Sequence, residues 1–365
     1  PAPSPPLELP ESLDLSELSG DEMRSARLLD ASANRAREGL RVVEDYCRFV
    51  LDDAILCGEA KSLRHELAAT LALLPSRLLL SARDTSGDVG RNLSTEAELA
   101  RESLIAVVRA NIKRLQEALR SLEEFGKIYG QEVGRGIEAI RYRTYILEKA
   151  LDRGEPARHQ LRDARLYLIV TASQCLGSLD RTVDEAVAGG VDLIQLREKE
   201  ITDRALLAKA RHLREITRHL GVPLVINDRP DVANAVDADG VHLGQDDMTI
   251  RDARHILGRA RMIGVSTHNL EQVRQAVLDG ADYIGVGPAY PSATKQFAEL
   301  AGLPFVREAC AVTSLPSFVI GGVNSLNIRE VVEAGGCRVA VSQAILRSEN
   351  PRAVAIELRR LLTGR

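Results

Sequence analysis

Two strand-like runs end in carboxylates: Val225-Ile226-Asn227-Asp228 and Gly240-Val241-His242-Leu243-Gly244-Gln245-Asp246-Asp247. If both strands lie in one parallel sheet, Asp228 and Asp247 open onto the same face and can share one hard cation. A third run, Val191-Asp192-Leu193-Ile194-Gln195-Leu196, is followed by Arg197-Glu198-Lys199. Gln195, Arg197 and Lys199 alternate, so continued extension projects them on one side. Arginine offers phosphate a planar fork and lysine a point charge. Carboxylates and cations converging from three neighbouring strand ends are the pattern of a metal-assisted phosphate site. Mg2+ is usually held by one or two carboxylates plus waters and phosphate oxygens, which this arrangement could supply. The plainer readings are a surface charge cluster at Arg197 and Lys199, and Asp228 as a helix cap before Arg229-Pro230.

Other segments add to this inventory. His242 has no Cys or His at ligand spacing and reads as a packed strand residue. In Gly264-Val265-Ser266-Thr267-His268-Asn269, Ser266 could contact a substrate, or Thr267 or Asn269 could cap the next helix. The run from Gly285 to Lys295 is rich in Gly, Pro and hydroxyls and reads as a mobile lid carrying Thr294 and Lys295 to a phosphate. Gly321-Gly322-Val323 and Ser342-Gln343-Ala344 follow the last two strand candidates, where exposed backbone N–H groups can receive an anion. Two phosphate sites in one mouth, one with metal and one without, suit an enzyme that joins a diphosphate ester to a monophosphate.

The elements that must position these residues are short β-branched runs alternating with amphipathic stretches. The strand candidates are Leu166–Val170, Val191–Leu196, Pro223–Ile226, Gly240–Leu243, Met262–Val265, Asp282–Val286, Ser317–Ile320 and Arg338–Val341. Between the second and third, Leu206, Ala210, Leu213, Thr217 and Leu220 hold one helical face, which Thr202 or Asp203 could cap. Eight such units over about 200 residues predict a (β/α)8 TIM barrel across 166–365, with a doubly wound open sheet as the rival. Residues 152–165 are polar, contain Gly154 and Pro156, and read as a linker.

Residues 23–151 have helical periodicity and read as an all-α helical bundle, interrupted by Pro75 and the turn-rich 83–90. Within it, Arg35-x-x-Glu38-x-Leu40-Arg41-x-Val43-Glu44-Asp45-Tyr46-x-Arg48 recurs as Arg114-x-x-Glu117-x-Leu119-Arg120-x-Leu122-Glu123-Glu124-Phe125-x-Lys127. Ala36, Gly39, Leu40, Val43, Tyr46 and Cys47 share one face, while Arg37, Glu38, Arg41, Glu44, Asp45 and Arg48 cover the opposite one. That charged face is either solvated and laced by pairs such as Arg41/Asp45 and Glu44/Arg48, or half of a pseudo-symmetric polar pocket shared with the second copy, Asp84 and Asp88. Gly87 and Gly90 do not form a G-x-x-x-x-G-K-[ST] phosphate loop.

Composition narrows the alternatives. A formal charge of −4 with interspersed signs, 3% aromatics and no Trp argue against nucleic-acid binding. Five scattered cysteines without a C-x-x-C pair fit neither a disulfide framework nor a zinc site, and suit a reducing cytoplasm. No apolar run approaches a membrane span. Residues 1–22 are expected to be a disordered, proline-rich tail without the basic-then-apolar order of a secretion signal.

Residues 166–363 resemble thiamin phosphate synthase. The likeness is carried by Gln195-Leu196-Arg197-Glu198-Lys199, Asn227-Asp228, Asp239 to Asp247, Gly264-Val265-Ser266, Gly285-Val286-Gly287-Pro288, Thr294-Lys295 and Ile320-Gly321-Gly322. The resemblance implies a transferase that couples hydroxymethylpyrimidine diphosphate to hydroxyethylthiazole phosphate, giving thiamin phosphate and pyrophosphate. It implies that Asp228 and Asp247 bind Mg2+, and that Gln195, Leu196, Arg197, Glu198, Lys199, Asn227 and Lys295 surround the diphosphate. Ser266 would face the pyrimidine, and Ser292, Ala293, Thr294, Gly322, Ser342 and Gln343 the thiazole phosphate. Arg197, Lys199, Ser266 and Lys295 would be the catalytic groups. Ser342-Gln343 departs from the family's frequent aliphatic residue followed by Ser or Arg. The related thiazole tautomerase shares the barrel but releases no pyrophosphate, and retention of the basic and acidic groups argues against it. Residues 24–150 resemble, through Asn34 to Asp45, a helical module proposed as an alternative hydroxymethylpyrimidine phosphate kinase; a non-catalytic oligomerisation role stays open beside that one.

Overall fold

The computed structural model describes residues 19–75, 77–84, 101–291 and 300–364, with side chains described outside 153–160. The chain divides into two compact units, 1–149 and 150–365.

The first unit is helical. It contains α1 (Gly20–Phe49), α2 (Ala54–Leu71), the single turn α3 (Leu78–Ser81), α4 (Leu104–Gly126) and the start of α5 (Gln131–Gln160). Helix α1 begins inside the stretch expected to be a tail, because Ser19 and Glu22 form a reciprocal capping box: each side chain accepts from the other's backbone N–H, at 3.3 and 2.8 Å. Helix α5 runs on through most of 152–165, the stretch expected to be a linker. Ala33, Ala36, Leu40, Val43 and Cys47 of α1 are buried, as are Ile112, Leu115, Leu119 and Leu122 of α4. These two helices carry the repeat and approach closely at Gly39, where a Cβ would lie 3.1 Å from Leu115 Cβ and 3.2 Å from the Asn111 carbonyl.

The repeated glutamates correct the solvated-face reading. Glu44 is buried and accepts from Arg64 Nε of α2 at 2.8 Å, not from Arg48; its repeat partner Glu123 is buried and accepts from Arg141 Nε of α5 at 2.6 Å. Arg41 and Arg120, one turn back on the same helix, add a second cation to each at 3.6 and 2.8 Å. A carboxylate withdrawn from water needs such a partner, so each copy ties its own helix to the next one. The Arg41–Asp45 pair forms as expected, at 3.3 Å. Asp84 pairs with Arg27, and Asp88 lies outside the described residues.

The second unit is a closed eight-stranded parallel barrel in sequential order, β1 (Leu166–Val170), β2 (Leu193–Leu196), β3 (Leu224–Asn227), β4 (Gly240–Leu243), β5 (Met262–Thr267), β6 (Tyr283–Val286), β7 (Ser317–Val319) and β8 (Val339–Val341). Closure comes from β1 pairing with β8, Tyr167 opposite Ala340, which rules out the open sheet. The helices between strands are α6 (Leu179–Ala188), α7 (Asp203–Leu220), α8 (Pro230–Ala235), α9 (Ile250–Leu257), α10 (Leu270–Asp279), α11 (Gly302–Val312) and α12 (Ile328–Glu333), followed by α13 (Gln343–Leu346) and α14 (Pro351–Thr363). Thr202 and Asn269 cap α7 and α10.

At the strand N-termini one device occurs three times. Asp192, Asp239 and Asp282 accept backbone N–H groups from Leu166, Leu224 and Ile263, and pair with Arg359, Arg214 and Arg254. That face of a barrel serves stability. Inside, Tyr167, Tyr283 and Phe318 meet edge to face at centroid separations of 5.3–6.0 Å. Gly264 makes room for them: a Cβ there would lie 2.0 Å from the Tyr283 ring.

Candidate active site

The strand period of two decides which side chains reach the barrel axis. Ile169 of β1, Gln195 of β2, Asn227 of β3, His242 of β4, Ser266 of β5 and Gly285 of β6 all face a cavity of about 540 Å3 at the C-terminal mouth, within the size range of small-molecule sites. Arg197 and Lys199 continue the alternation of β2 into that cavity, and Asp228, Asp247, Gly322, Ser342 and Gln343 line it too. Leu196 and Glu198, at the intervening positions, do not. Leu196 is buried in β2, and Glu198 turns away to accept from Lys209 Nζ at 3.0 Å and the Ala172 N–H at 2.9 Å. Ser292, Ala293, Thr294 and Lys295 lie outside the described residues.

The acidic pair is shaped by its backbone. Asp228 sits at φ 62°, a left-handed conformation that Asn, Asp and Gly tolerate best, and its N–H donates to the His242 carbonyl at 2.8 Å. It does not cap α8, whose N-cap is Arg229. Asp247 reaches back to accept the Gly244 N–H at 2.6 Å. Burial, and then the facing Asp247 carboxylate, push the Asp228 carboxyl above its ordinary range, while Lys199 at 3.3 Å pulls it down. Two facing carboxylates, only Asp228 of them paired with the exposed Lys199, make an oxygen donor set short of positive charge, which fits a hard cation such as Mg2+. Arg197 is held below its ordinary value by burial, with Asp228 opposing that shift, and it still carries its charge.

Across the mouth, Gly321 and Gly322 take φ values of 91° and 66°. A Cβ on Gly322 would strike the Pro291 carbonyl at 2.5 Å, so this loop closes against the one after β6 only with glycine. Asn324 and Asn327 donate to the Gly322 carbonyl, and the buried Ser342 hydroxyl at the cavity wall has no hydrogen-bond partner among the described residues.

Several cavity residues escaped the sequence reading. His242 is buried in β4, and it also faces the cavity, with Nε2 2.9 Å from Ser266 Oγ and Nδ1 3.2 Å from Tyr283 OH. Tyr167, Tyr283, His268, Asn324 and Arg347 are further wall residues. The available signal was the Gly240-x-His242-x-Gly244 alternation, which places a polar side chain between two absent ones on the inward face. Burial keeps the Tyr167 and Tyr283 hydroxyls protonated, raising both well above the ordinary phenol value.

Residues 166–345 match the family model described as thiamine monophosphate synthase, and residues 27–150 match the ThiD2 family. Thiamine-phosphate synthase of Nostoc sp. (strain PCC 7120) is 46% identical over 328 residues, covering 90% of this chain and 91% of that one. The enzyme of the same name from Thermosynechococcus vestitus is 42% identical, covering 94% and 97%. Among solved structures, thiamine phosphate pyrophosphorylase from Pyrococcus furiosus aligns with a TM-score of 0.51 and 36% identity, covering 57% of this chain and 98% of that one.

Proposed function

Since the chain belongs to the thiamine-phosphate synthase family and is a transferase, we propose that its barrel couples hydroxymethylpyrimidine diphosphate to hydroxyethylthiazole phosphate, releasing pyrophosphate. The observation that carries this is the meeting of Asp228, Asp247, Arg197 and Lys199 on one side of the cavity with the Gly322 and Ser342 loops on the other. Such a layout suits two phosphorylated substrates held at once.

In the reaction the bond from the pyrimidine methylene carbon to the diphosphate oxygen breaks, its electron pair leaving with pyrophosphate, and the thiazole nitrogen lone pair forms the new C–N bond. Negative charge builds on the leaving oxygens, so groups already aimed there favour the transition state over the ground state. Arg197 supplies a bidentate fork, Lys199 a point charge, and Gln195 and Asn227 neutral contacts from adjacent strands. Asp228 and Asp247 would hold Mg2+, which when bound supplies charge neutralisation for the diphosphate. Ser266 faces the pyrimidine from β5. Backbone at Gly322 and the Ser342 hydroxyl, which has no partner among the described residues, receive the thiazole phosphate, with Gln343 beside them. The resemblance adds Ser292, Ala293, Thr294 and Lys295 to these contacts.

The test is direct: purified protein with both substrates and Mg2+ should release thiamin phosphate and pyrophosphate in equal amounts. Thiazole turnover without pyrophosphate, and without any need for metal, would instead favour the tautomerase reading. For the helical unit, the ThiD2 match supports pyrimidine-phosphate kinase activity, which would supply the barrel's own diphosphate substrate. ATP-dependent formation of that diphosphate from the monophosphate by the full chain checks it, and its absence favours a non-catalytic role.

A further inference from the structure

The inference concerns the floor of the same cavity and rests on the proposed substrates. Five side chains from five strands join end to end across the barrel. Gln195 Nε2 donates to Tyr167 OH at 2.6 Å, and that hydroxyl lies 3.0 Å from Tyr283 OH. Tyr283 OH lies 3.2 Å from His242 Nδ1, and His242 Nε2 lies 2.9 Å from Ser266 Oγ. Gln195, Tyr167, Tyr283 and His242 are all buried, and Ser266 is half-buried at the cavity wall.

Each middle member has one hydrogen to place: a phenol has one O–H, and a neutral imidazole one N–H. The Gln195 amide nitrogen can only donate, so Tyr167 accepts from it and passes its own hydrogen to Tyr283. Tyr283 then donates to Nδ1, which leaves the imidazole hydrogen on Nε2, directed at Ser266 Oγ. Having accepted there, Ser266 has its own hydrogen left for the cavity, while Gln195 has its Oε1 left as an acceptor. Both ends line the cavity, and their characters are opposite and linked.

We propose that Tyr167, Tyr283 and His242 are specificity-determining positioning residues, whose relay fixes Ser266 as a donor and Gln195 as an acceptor and so selects an aminopyrimidine over its oxo counterpart. An aminopyrimidine edge presents a ring nitrogen that accepts beside an exocyclic amine that donates. In the oxo ring both are inverted: the ring N–H donates and the carbonyl accepts. To match that edge, the amide, both phenols and the imidazole tautomer would have to reverse together, because a single reversal leaves two hydrogens facing or two lone pairs facing in a buried site.

The experiment compares kcat/KM for the 4-amino and 4-oxo pyrimidine diphosphates, each with thiazole phosphate and Mg2+, in the full chain. Wild type should prefer the amino substrate by about 10³-fold or more, as sites built on paired hydrogen bonds do. Tyr283→Phe and Tyr167→Phe each keep the ring but break the relay, and should cut that preference at least about tenfold. His242→Gln, whose amide can accept from Tyr283 and donate to Ser266, should retain more of the preference than His242→Leu; this comparison does not depend on either Tyr variant folding. A residue that merely packs would lower both substrates by one factor, so an unchanged ratio in all the variants overturns the proposal, as does a wild type that does not discriminate. Failure of wild type to make thiamin phosphate from the amino substrate would overturn the proposed function itself, and this inference with it.

Discussion

Asp228→Asn separates what the acidic pair does for folding from what it does for function. On the stability side, the Lys199–Asp228 contact at 3.3 Å would be worth roughly 5 kcal/mol at an effective dielectric of 20. Lys199 is 50% exposed, however, and pairs open to water contribute only about 0–1 kcal/mol. Against that small loss, the substitution removes repulsion between Asp228 and Asp247. Asn also suits φ 62°, where most other residues cost about 1–2 kcal/mol. The net change for Asp228→Asn is therefore within about 1 kcal/mol, while Asp228→Ala adds the backbone cost and should melt about 2–4 °C lower for each kcal/mol lost. Activity should behave differently. On the proposed role of Asp228 as a metal ligand, both variants lose one anionic donor where charge must be neutralised, so both should form thiamin phosphate about 10²–10³-fold more slowly. The assays are thermal melting without metal and product formation across a Mg2+ titration. An Asp228→Asn variant that melts as low as Asp228→Ala, or either variant with activity within about threefold of wild type, would refute this role for Asp228.

The pH dependence has a defined sign. Asp228 keeps its proton to higher pH in the folded chain than in the unfolded one, so its contribution to stability is complete below the ordinary carboxylate value and is lost as pH rises through the raised one. Melting without metal should show that loss, Mg2+ should raise Tm more at pH 7 than at pH 5, and Asp228→Asn should flatten both trends. In the helical unit, Glu123→Gln strands Arg141, which is only 10% exposed, and should cost about 3–5 kcal/mol in urea unfolding. Glu44→Gln leaves Arg64 at 31% exposure and should cost less, about 1.5 kcal/mol. Gly264→Ala drives a methyl group into the Tyr283 ring and should destabilise the barrel by about 1–3 kcal/mol, visible as a lower urea midpoint.

The strands were legible because each is a short apolar run bounded by turn residues. The capping roles of Thr202 and Asn269 were legible because a cap is a local hydrogen bond to the next turn. The convergence of Gln195, Arg197 and Lys199 with Asp228 and Asp247 was equally readable, since alternation along a parallel strand fixes which side chains share a face. The same alternation could have excluded Leu196 and Glu198, which the motif carried into the site. Glu44 and Glu123 were misread because helical periodicity shows which face is polar, not whether a neighbouring helix covers it.

What the order of residues determined by itself was local: eight strand-length runs, the helices between them, and the parity that points a carboxylate or a guanidinium toward one side. Closure of β8 onto β1, the counter-ions of the buried glutamates, and the relay from Gln195 to Ser266 were decided only by the tertiary structure. Each joins groups far apart in the chain through distances of a few ångströms, and no periodicity encodes such distances. His242 shows the difference most plainly: in sequence it is a lone polar residue in a strand, and it becomes part of a site only when Tyr283 and Ser266 arrive on either side of its ring.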